Sequence, residues 1–254
     1  MDILNKEAWE QKALINAGAL SVSELMQETL ARIELVNPKV NALVNTLSKA
    51  ACEELTSGEC PFGGALGGMP MAIKDLANVK GFKTTEGSPL YSERIARKDD
   101  QMVARLRAAG ALFIGKTNTP EFGLGSNTFN PVYGKTKNPY DLTRTCGGSS
   151  GGAAVALATR MLSISDGSDM MGSLRNPAAW NNVYGLRPTW GLVPPEPSGE
   201  IFLSQLSTLG PMARSPKDLA LLLDVQANHS ENKSYVSQSK SFSNFTAQPR
   251  LEGI

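Results

Sequence analysis

The run Gly151-Gly152-Ala153-Ala154-Val155-Ala156-Leu157-Ala158 constrains this chain more than any other stretch. From Gly151 to Arg160 the residues are small and apolar, which suits a tightly packed helix with little room around it. A glycine-rich turn, Gly147-Gly148-Ser149-Ser150, leads directly into it. A second turn, Asp169-Met170-Met171-Gly172-Ser173-Leu174-Arg175, places Ser173 24 residues after Ser149. An apolar run, Met71-Ala72-Ile73-Lys74-Asp75-Leu76, places Lys74 75 residues before Ser149.

Two serines in glycine-rich turns raise the question of their base. The chain holds a single histidine, His229, within the polar segment Asn228-His229-Ser230-Glu231-Asn232. A serine hydrolase normally uses a histidine beside its nucleophile. If these serines perform acyl transfer, lysine is the remaining candidate base.

The 254 residues suffice for one large domain or two small ones. With 41% hydrophobic residues, 19% charged residues and a net charge of +1, the composition is that of an ordinary globular protein. Near-neutral charge gives no reason to expect nucleic acid or an acidic membrane as partner. The three cysteines, Cys52, Cys60 and Cys146, form neither a disulfide framework nor a zinc pattern. No apolar run reaches the ~18–20 residues of a membrane span, and the first residues lack signal-peptide character. These features favour a cytoplasmic protein.

Along the chain, Ser21-Val22-Ser23-Glu24 fits a capping box that opens a helix, ended by Asn37-Pro38. The pattern predicts a strand from Val40 to Thr46, a helix from Lys49 to Leu55, a glycine-rich loop from Ser57 to Gly68 and a buried strand from Pro70 to Leu76. Asp99-Asp100 opens a helix with Met102, Val103 and Leu106 on one face, stopped by Gly110. Further strands are predicted at Ala111–Ile114 and Met161–Ser165, with helices at Gly172–Asn181 and from Ser215-Pro216 to Gln226. Residues 229–248 read as a flexible loop, and Arg250 to Ile254 as the start of another strand. Alternating helices and short strands indicate an α/β domain.

Two motif matches have plainer readings. Gly110 to Thr117 fits the phosphate-loop pattern, but its variable positions Ala-Leu-Phe-Ile belong in a buried strand and a turn follows. Gly147-x-Ser149-x-Gly151 fits a nucleophile elbow with Asp166 or Asp169 and His229 as partners. His229 reads as a surface residue, and Leu142 to Thr145 is a poor strand to precede an elbow.

The whole constellation is more specific. The serine-glycine loop and the Ser173 turn, with Pro70 to Asp75, Gly115-Lys116-Thr117-Asn118, Asn138-Pro139-Tyr140-Asp141, Tyr184 to Thr189 and Gly210 to Arg214, resemble the amidase signature family in content, order and spacing. The resemblance covers about residues 20–254, roughly the first half of a family domain. It implies an α/β core with a mixed, mostly parallel sheet flanked by helices, truncated at the C-terminus. Residues 1–20 would form an N-terminal helical segment and residues 21–254 the incomplete domain.

It also implies roles. Ser173 aligns with the acylated nucleophile and Lys74 with the base. Ser149 aligns with the bridging serine, which in the family precedes a cis peptide bond. The oxyanion hole would come from the backbone of Met170, Met171, Gly172 and Ser173. Ser150 supports by hydrogen bonding, and Asp169 with Arg175 forms an ion pair fixing the nucleophile turn. Neither cofactor nor metal is implied. The Met170-Met171 pair reads either as core packing or as a soft pocket wall. Cys146, Trp180, Trp190 and Phe202 read as packed residues.

The chemistry is consistent with these assignments. An ordinary lysine is neutral in about 4 molecules in 10,000 at pH 7. Burial among Met71, Ala72 and Ile73 lowers its pKa, an effect Asp75 would oppose if it pointed inward. Three functional classes follow: an amidase acting on a small carboxamide; a glutaminase-type subunit handing ammonia to a partner; or a non-catalytic remnant that binds through an exposed edge. A homodimer or a complementing C-terminal half is the protein partner to consider.

Overall fold

The computed structural model describes residues 3–57, 63–196, 205–227 and 241–243. The small-residue run forms a helix from Gly151–Ala158, and every side chain from Gly151 to Leu157 is buried. Its thinness is used: a Cβ added at Gly152 would overlap the Asn118 amide nitrogen and the Ala42 carbonyl.

In chain order the helices are α1 (Ala8–Asn16), α2 (Val22–Val40), α3 (Lys49–Ser57), α4 (Gln101–Ala108), α5 (Gly151–Ala158), α6 (Arg175–Trp180) and α7 (Pro216–Gln226). The strands are β1 (Leu43–Val44), β2 (Pro70–Lys74), β3 (Leu112–Thr117), β4 (Phe129–Asn130), β5 (Gly134–Lys135), β6 (Ile164–Asp169), β7 (Tyr184–Gly185) and β8 (Thr208–Ala213).

Strands buried on both faces explain the near-continuous apolar runs. On β2, Met71 and Ile73 join one core cluster with Met102, Leu106 and Leu222. Ala72 points the other way, into the cluster built on α5 with Met26, Ile114 and Met212. The two-residue period of a strand therefore puts Lys74 on the α5 face.

β3 is the middle strand of one sheet, antiparallel to β1 and parallel to β2. In a second sheet β8 lies between β6 and β7, antiparallel to both. β4 and β5 pair alone. Side chains link the two larger sheets: the Lys74 amide donates to Asp166 Oδ1 at 3.0 Å, and Ser165 Oγ donates to the Ala72 carbonyl at 3.4 Å. The arrangement is α/β and mixed, as expected. Pairing among the described strands is mainly antiparallel, however. A parallel neighbour needs a crossover, which α4 supplies between β2 and β3, whereas β8 runs back against its neighbours.

The Ser21 capping box forms: Ser21 Oγ accepts the Glu24 amide at 3.1 Å, and Glu24 Oε2 accepts the Ser21 amide at 2.8 Å. The predicted stop at Asn37-Pro38 does not occur. α2 runs through Pro38 to Val40 and ends where Asn41 turns left-handed at φ 52°. Asn37 Oδ1 accepts the amides of Ala42 and Leu43, so the chain turns there and only Leu43–Val44 remain extended.

The strand predicted at Met161–Ser165 lies at Ile164–Asp169, because α5 is followed by a turn with Arg160 left-handed at φ 61°. The helix predicted from Gly172 begins at Arg175. The predicted helices at Lys49, Gln101 and Pro216 form, the last capped by Ser215 Oγ, which accepts the Asp218 amide.

α1 docks on α7, with the Asp218 carboxylate accepting the Ala8 and Trp9 amides at 2.9 and 2.8 Å. No described helix is long and apolar enough to cross a membrane. Of the loop predicted over residues 229–248, Ser241 to Ser243 pack on Asp224, where Phe242 donates its amide at 2.6 Å. The rest of that loop, His229 and the strand predicted from Arg250 lie outside the described residues, as do Cys60 and Phe202.

Candidate active site

Lys74 closes β2 fully buried, with its chain directed toward the start of α5. Its Nζ lies 2.8 Å from Ser149 Oγ, 2.9 Å from Ser150 Oγ and 3.0 Å from Ser168 Oγ. An ammonium has three donors and would give one to each hydroxyl. A neutral amine has two donors and a lone pair, so one hydroxyl must then donate to it.

Burial pushes the Lys74 pKa down to about 7, against the opposing pull of Asp166 and Asp169. Near neutral pH both forms of the amine are therefore well populated.

Ser149 and Ser150 enter this cluster from the glycine turn. Ser150 caps α5, and its amide donates to the Ser173 carbonyl at 3.2 Å. A cis peptide bond joins Gly148 to Ser149, so it precedes Ser149 rather than following it. Gly148 sits against the backbone of Ser126 and Asn127, which leaves no space for a Cβ.

Ser168 is not among the residues that the sequence singles out. It and Asp166 fall on the same face of β6, and both contact Lys74. Placing the strand at its true start, Ile164, would have revealed them through the two-residue period.

The Ser173 turn is organised by one carboxylate. Asp169 is fully buried, and its oxygens accept the amides of Gly172 at 2.8 Å and Leu174 at 3.1 Å. Arg175 adds a two-pronged contact, 3.0 Å from each oxygen. Arg187 Nη1 approaches Oδ1 at 3.1 Å and also binds the Asp169 and Met170 carbonyls. Burial would raise the Asp169 pKa, but Arg175, the Gly172 and Leu174 amides and Arg187 outweigh it and hold the carboxyl well below the usual range. The expected Asp169–Arg175 pair is present, and Arg187 is an addition.

The four residues expected to form the oxyanion hole are not equivalent. The Gly172 amide is engaged by Asp169, and Gly172 itself takes φ 117°, a conformation that favours glycine. Met171 keeps a negative φ and is 85% exposed, while Met170 is 47% exposed. The core-packing reading of the Met pair is overturned, because Asp169 and Arg187 grip the backbone of this turn and leave the thioethers outside. Among the described residues no hydrogen bond joins the Ser149 and Ser173 hydroxyls. Ser173 reaches the cluster through its carbonyl.

The remaining candidates resolve simply. Lys116, from the phosphate-loop match, is buried within β3, 3.6 Å from Asp75 and bonded to the Ala77 carbonyl. Asp75 is thereby paired with Lys116. Burial pushes the Cys146 thiol up to about 12, which makes it a packed residue rather than a nucleophile. Trp180 is half-exposed rather than core, since it ends the short α6. Trp190 lines a cavity of about 260 Å³ shared with Lys74, Asp166, Ser168, Met102 and Leu209.

The sequence matches the family described as Amidase over residues 24–252. It is 40% identical over 255 residues to a glutamyl-tRNA(Gln) amidotransferase subunit of Coxiella burnetii, covering 96% of this chain and 52% of that protein. Among solved structures, 6-aminohexanoate cyclic dimer hydrolase in complex with substrate superposes with a TM-score of 0.85 at 32% identity, over 98% of this chain and 52% of that one. A bacterial aryl acylamidase, described as an amidase signature enzyme, gives a TM-score of 0.85 at 30% identity over 94% and 51% of the two chains. The chain spans about half the length of the curated relatives it matches. A family match over most of its length, joined to this lysine–serine cluster, establishes that the chain belongs to the amidase signature family.

Proposed function

We propose that this protein cleaves a carboxamide through an acyl-enzyme formed on Ser173. The observation that carries this reading is a fully buried Lys74 amine within 3.0 Å of three serine hydroxyls. Neutral Lys74 takes a proton from Ser149, Ser149 takes one from Ser173, and Ser173 oxygen attacks the carbonyl. Collapse of the tetrahedral intermediate breaks the C–N bond, and the relay runs backward to protonate the departing ammonia or amine. A water then repeats the cycle on the ester and releases the acid.

Backbone amides around Met171 and Ser173 stabilise the oxyanion, each such donor being worth about 3–4 kcal/mol. The substrate class is a small carboxamide or an aryl or alkyl amide. Residues 21–254 would form the catalytic unit, with residues 1–20 a helical segment attached to it. Buried free Cys52 and Cys146 accord with a cytoplasmic setting.

The test is intact-mass analysis after treatment with a fluorophosphonate probe. One adduct on the parent and none on Ser173→Ala is expected. An adduct that persists on Ser173→Ala would overturn the assignment of the nucleophile. A folded chain with no adduct would favour a remnant, or a site completed by a C-terminal half or a second copy.

A second reading is a glutaminase-type subunit, favoured by the 40% identity to the glutamyl-tRNA(Gln) amidotransferase relative. It predicts glutamine hydrolysis that rises when a partner protein is added.

A further inference from the structure

Five ionisable groups are buried around the serine cluster: Lys74, Asp75, Lys116, Asp166 and Asp169. Asp75 and Lys116 face each other at 3.6 Å, and Asp75 also accepts the Thr85 hydroxyl at 2.5 Å. Asp75 is the first charge acting on Lys116, and Asp166 is the second. Asp166 is also tied to Lys74, and its tie is to the backbone: Oδ1 accepts the Lys74 amide at 3.0 Å. That bond stands where β2 and β6 have no backbone ladder between them. Asp166 and Ser168 share one face of β6, so a single strand presents both a charge and a hydroxyl to Lys74.

We propose that Asp166 is a positioning residue, which ties Lys74 to β6 and supplies the countercharge that keeps its ammonium form accessible. The idea rests on the proposed role of Lys74. A relay base must accept a proton in one step and return it in the next. Burial alone favours the neutral amine and would leave a weak base. The charged groups acting on Lys74 all bear on this balance. Asp166 and Asp169 face it from β6, and Asp169 is already held by Arg175 and Arg187. Asp75 follows it directly beyond the end of β2 and is paired with Lys116 from β3. Asp100 and Glu196 line the same cavity, with Asp100 holding Asn78 and Glu196 holding the Gln101 amide and Lys98. Asp166 thus accepts the Lys74 amide while its charge acts on both Lys74 and Lys116, and burial pushes its own pKa up to about 6 against the pull of the Lys74 amide and these two lysines.

The test is Asp166→Asn, which keeps an oxygen for the Lys74 amide and removes only the charge. Lys74 is titrated through its ¹³Cε resonance, assigned by its loss in Lys74→Arg, and fluorophosphonate labelling rates are measured over the same pH range. In Asp166→Asn the Lys74 midpoint is expected to fall by about one pH unit, with the acid limb of labelling moving the same way. A folded Asp166→Asn protein with an unmoved midpoint overturns the proposal. A moved midpoint in a protein that never labels upholds it and defeats the reading of Ser173. Labelling with an unmoved limb does the reverse. Should Asp166→Asn fail to fold, the parent decides: its Asp166 carboxyl resonance must inflect at the Lys74 midpoint, and a carboxyl signal indifferent to that midpoint overturns the coupling.

Discussion

Arg187 Nη1 lies 3.1 Å from Asp169 Oδ1, and the same nitrogen also binds the carbonyls of Asp169 and Met170. One guanidinium thus holds both the side chain and the backbone of the turn that presents Ser173. A lysine could not match this fork.

Asp169→Ala should therefore destabilise more than it perturbs chemistry directly. It strips a buried acceptor from three amides and two arginine side chains. A loss of about 1–3 kcal/mol in urea-induced unfolding is expected, the range for leaving buried hydrogen-bonding groups unsatisfied. A loss below about 1 kcal/mol would mean that the turn is held elsewhere.

Asp169 also sets an acid limit. Its folded pKa lies below the unfolded carboxyl value of about 3.9, so its stabilisation is present above that value. It is lost as pH falls through the folded pKa. Urea midpoints from pH 6 downward should decline more steeply for the parent than for Asp169→Asn, and parallel curves would contradict the assignment.

Lys74 is destabilising where Asp169 is stabilising, although both make stability rise with pH. Its pKa drops from about 10.4 when unfolded to about 7 when folded. The unfolded chain binds more protons between those values, so stability rises with pH across that window. Lys74→Met should be the more stable protein below pH 7, with an advantage that shrinks toward pH 10. The same variant, and Lys74→Ala, should lose about 10²–10⁴-fold in labelling rate, the scale of a missing general base.

Gly152→Ala tests the packing of α5. Its new methyl would press on the Asn118 and Ala42 backbone, which cannot swing aside as a side chain can. A cost of about 1–3 kcal/mol in thermal or urea unfolding is expected. A neutral outcome would show that α5 can shift on the sheet.

Much of this architecture is legible in the residues. The Ser21 capping box, the apolar strand ending in Lys74 and the small-residue helix all follow from local chemistry. Lys74 Nζ lies within 2.9 Å of the hydroxyls of Ser149 and Ser150, two of the serines that the residues single out. Sequence reasoning fails on β6, whose Ser165-Asp166-Gly167-Ser168-Asp169 does not look like a buried strand. Asp166 and Asp169 are buried and Ser168 half-buried, each serving another element: Asp166 the amide of β2, Ser168 the amine of Lys74, Asp169 the Ser173 turn. Such partners are distant in sequence, so no local pattern reports them. Pro38 is a second failure, since Asn37 and a left-handed Asn41 absorb the turn that a proline normally forces earlier.

The helix that opens at Ser150 has an electrical consequence as well as a steric one. Its first turn carries a partial positive charge of about half an electron, and Ser150, which stands at its N-terminal end, holds its hydroxyl 2.9 Å from Lys74 Nζ. That field disfavours a nearby ammonium and favours an alkoxide. The run of glycine and alanine that lets the helix fit so deeply therefore also sets its positive end beside the Lys74 amine.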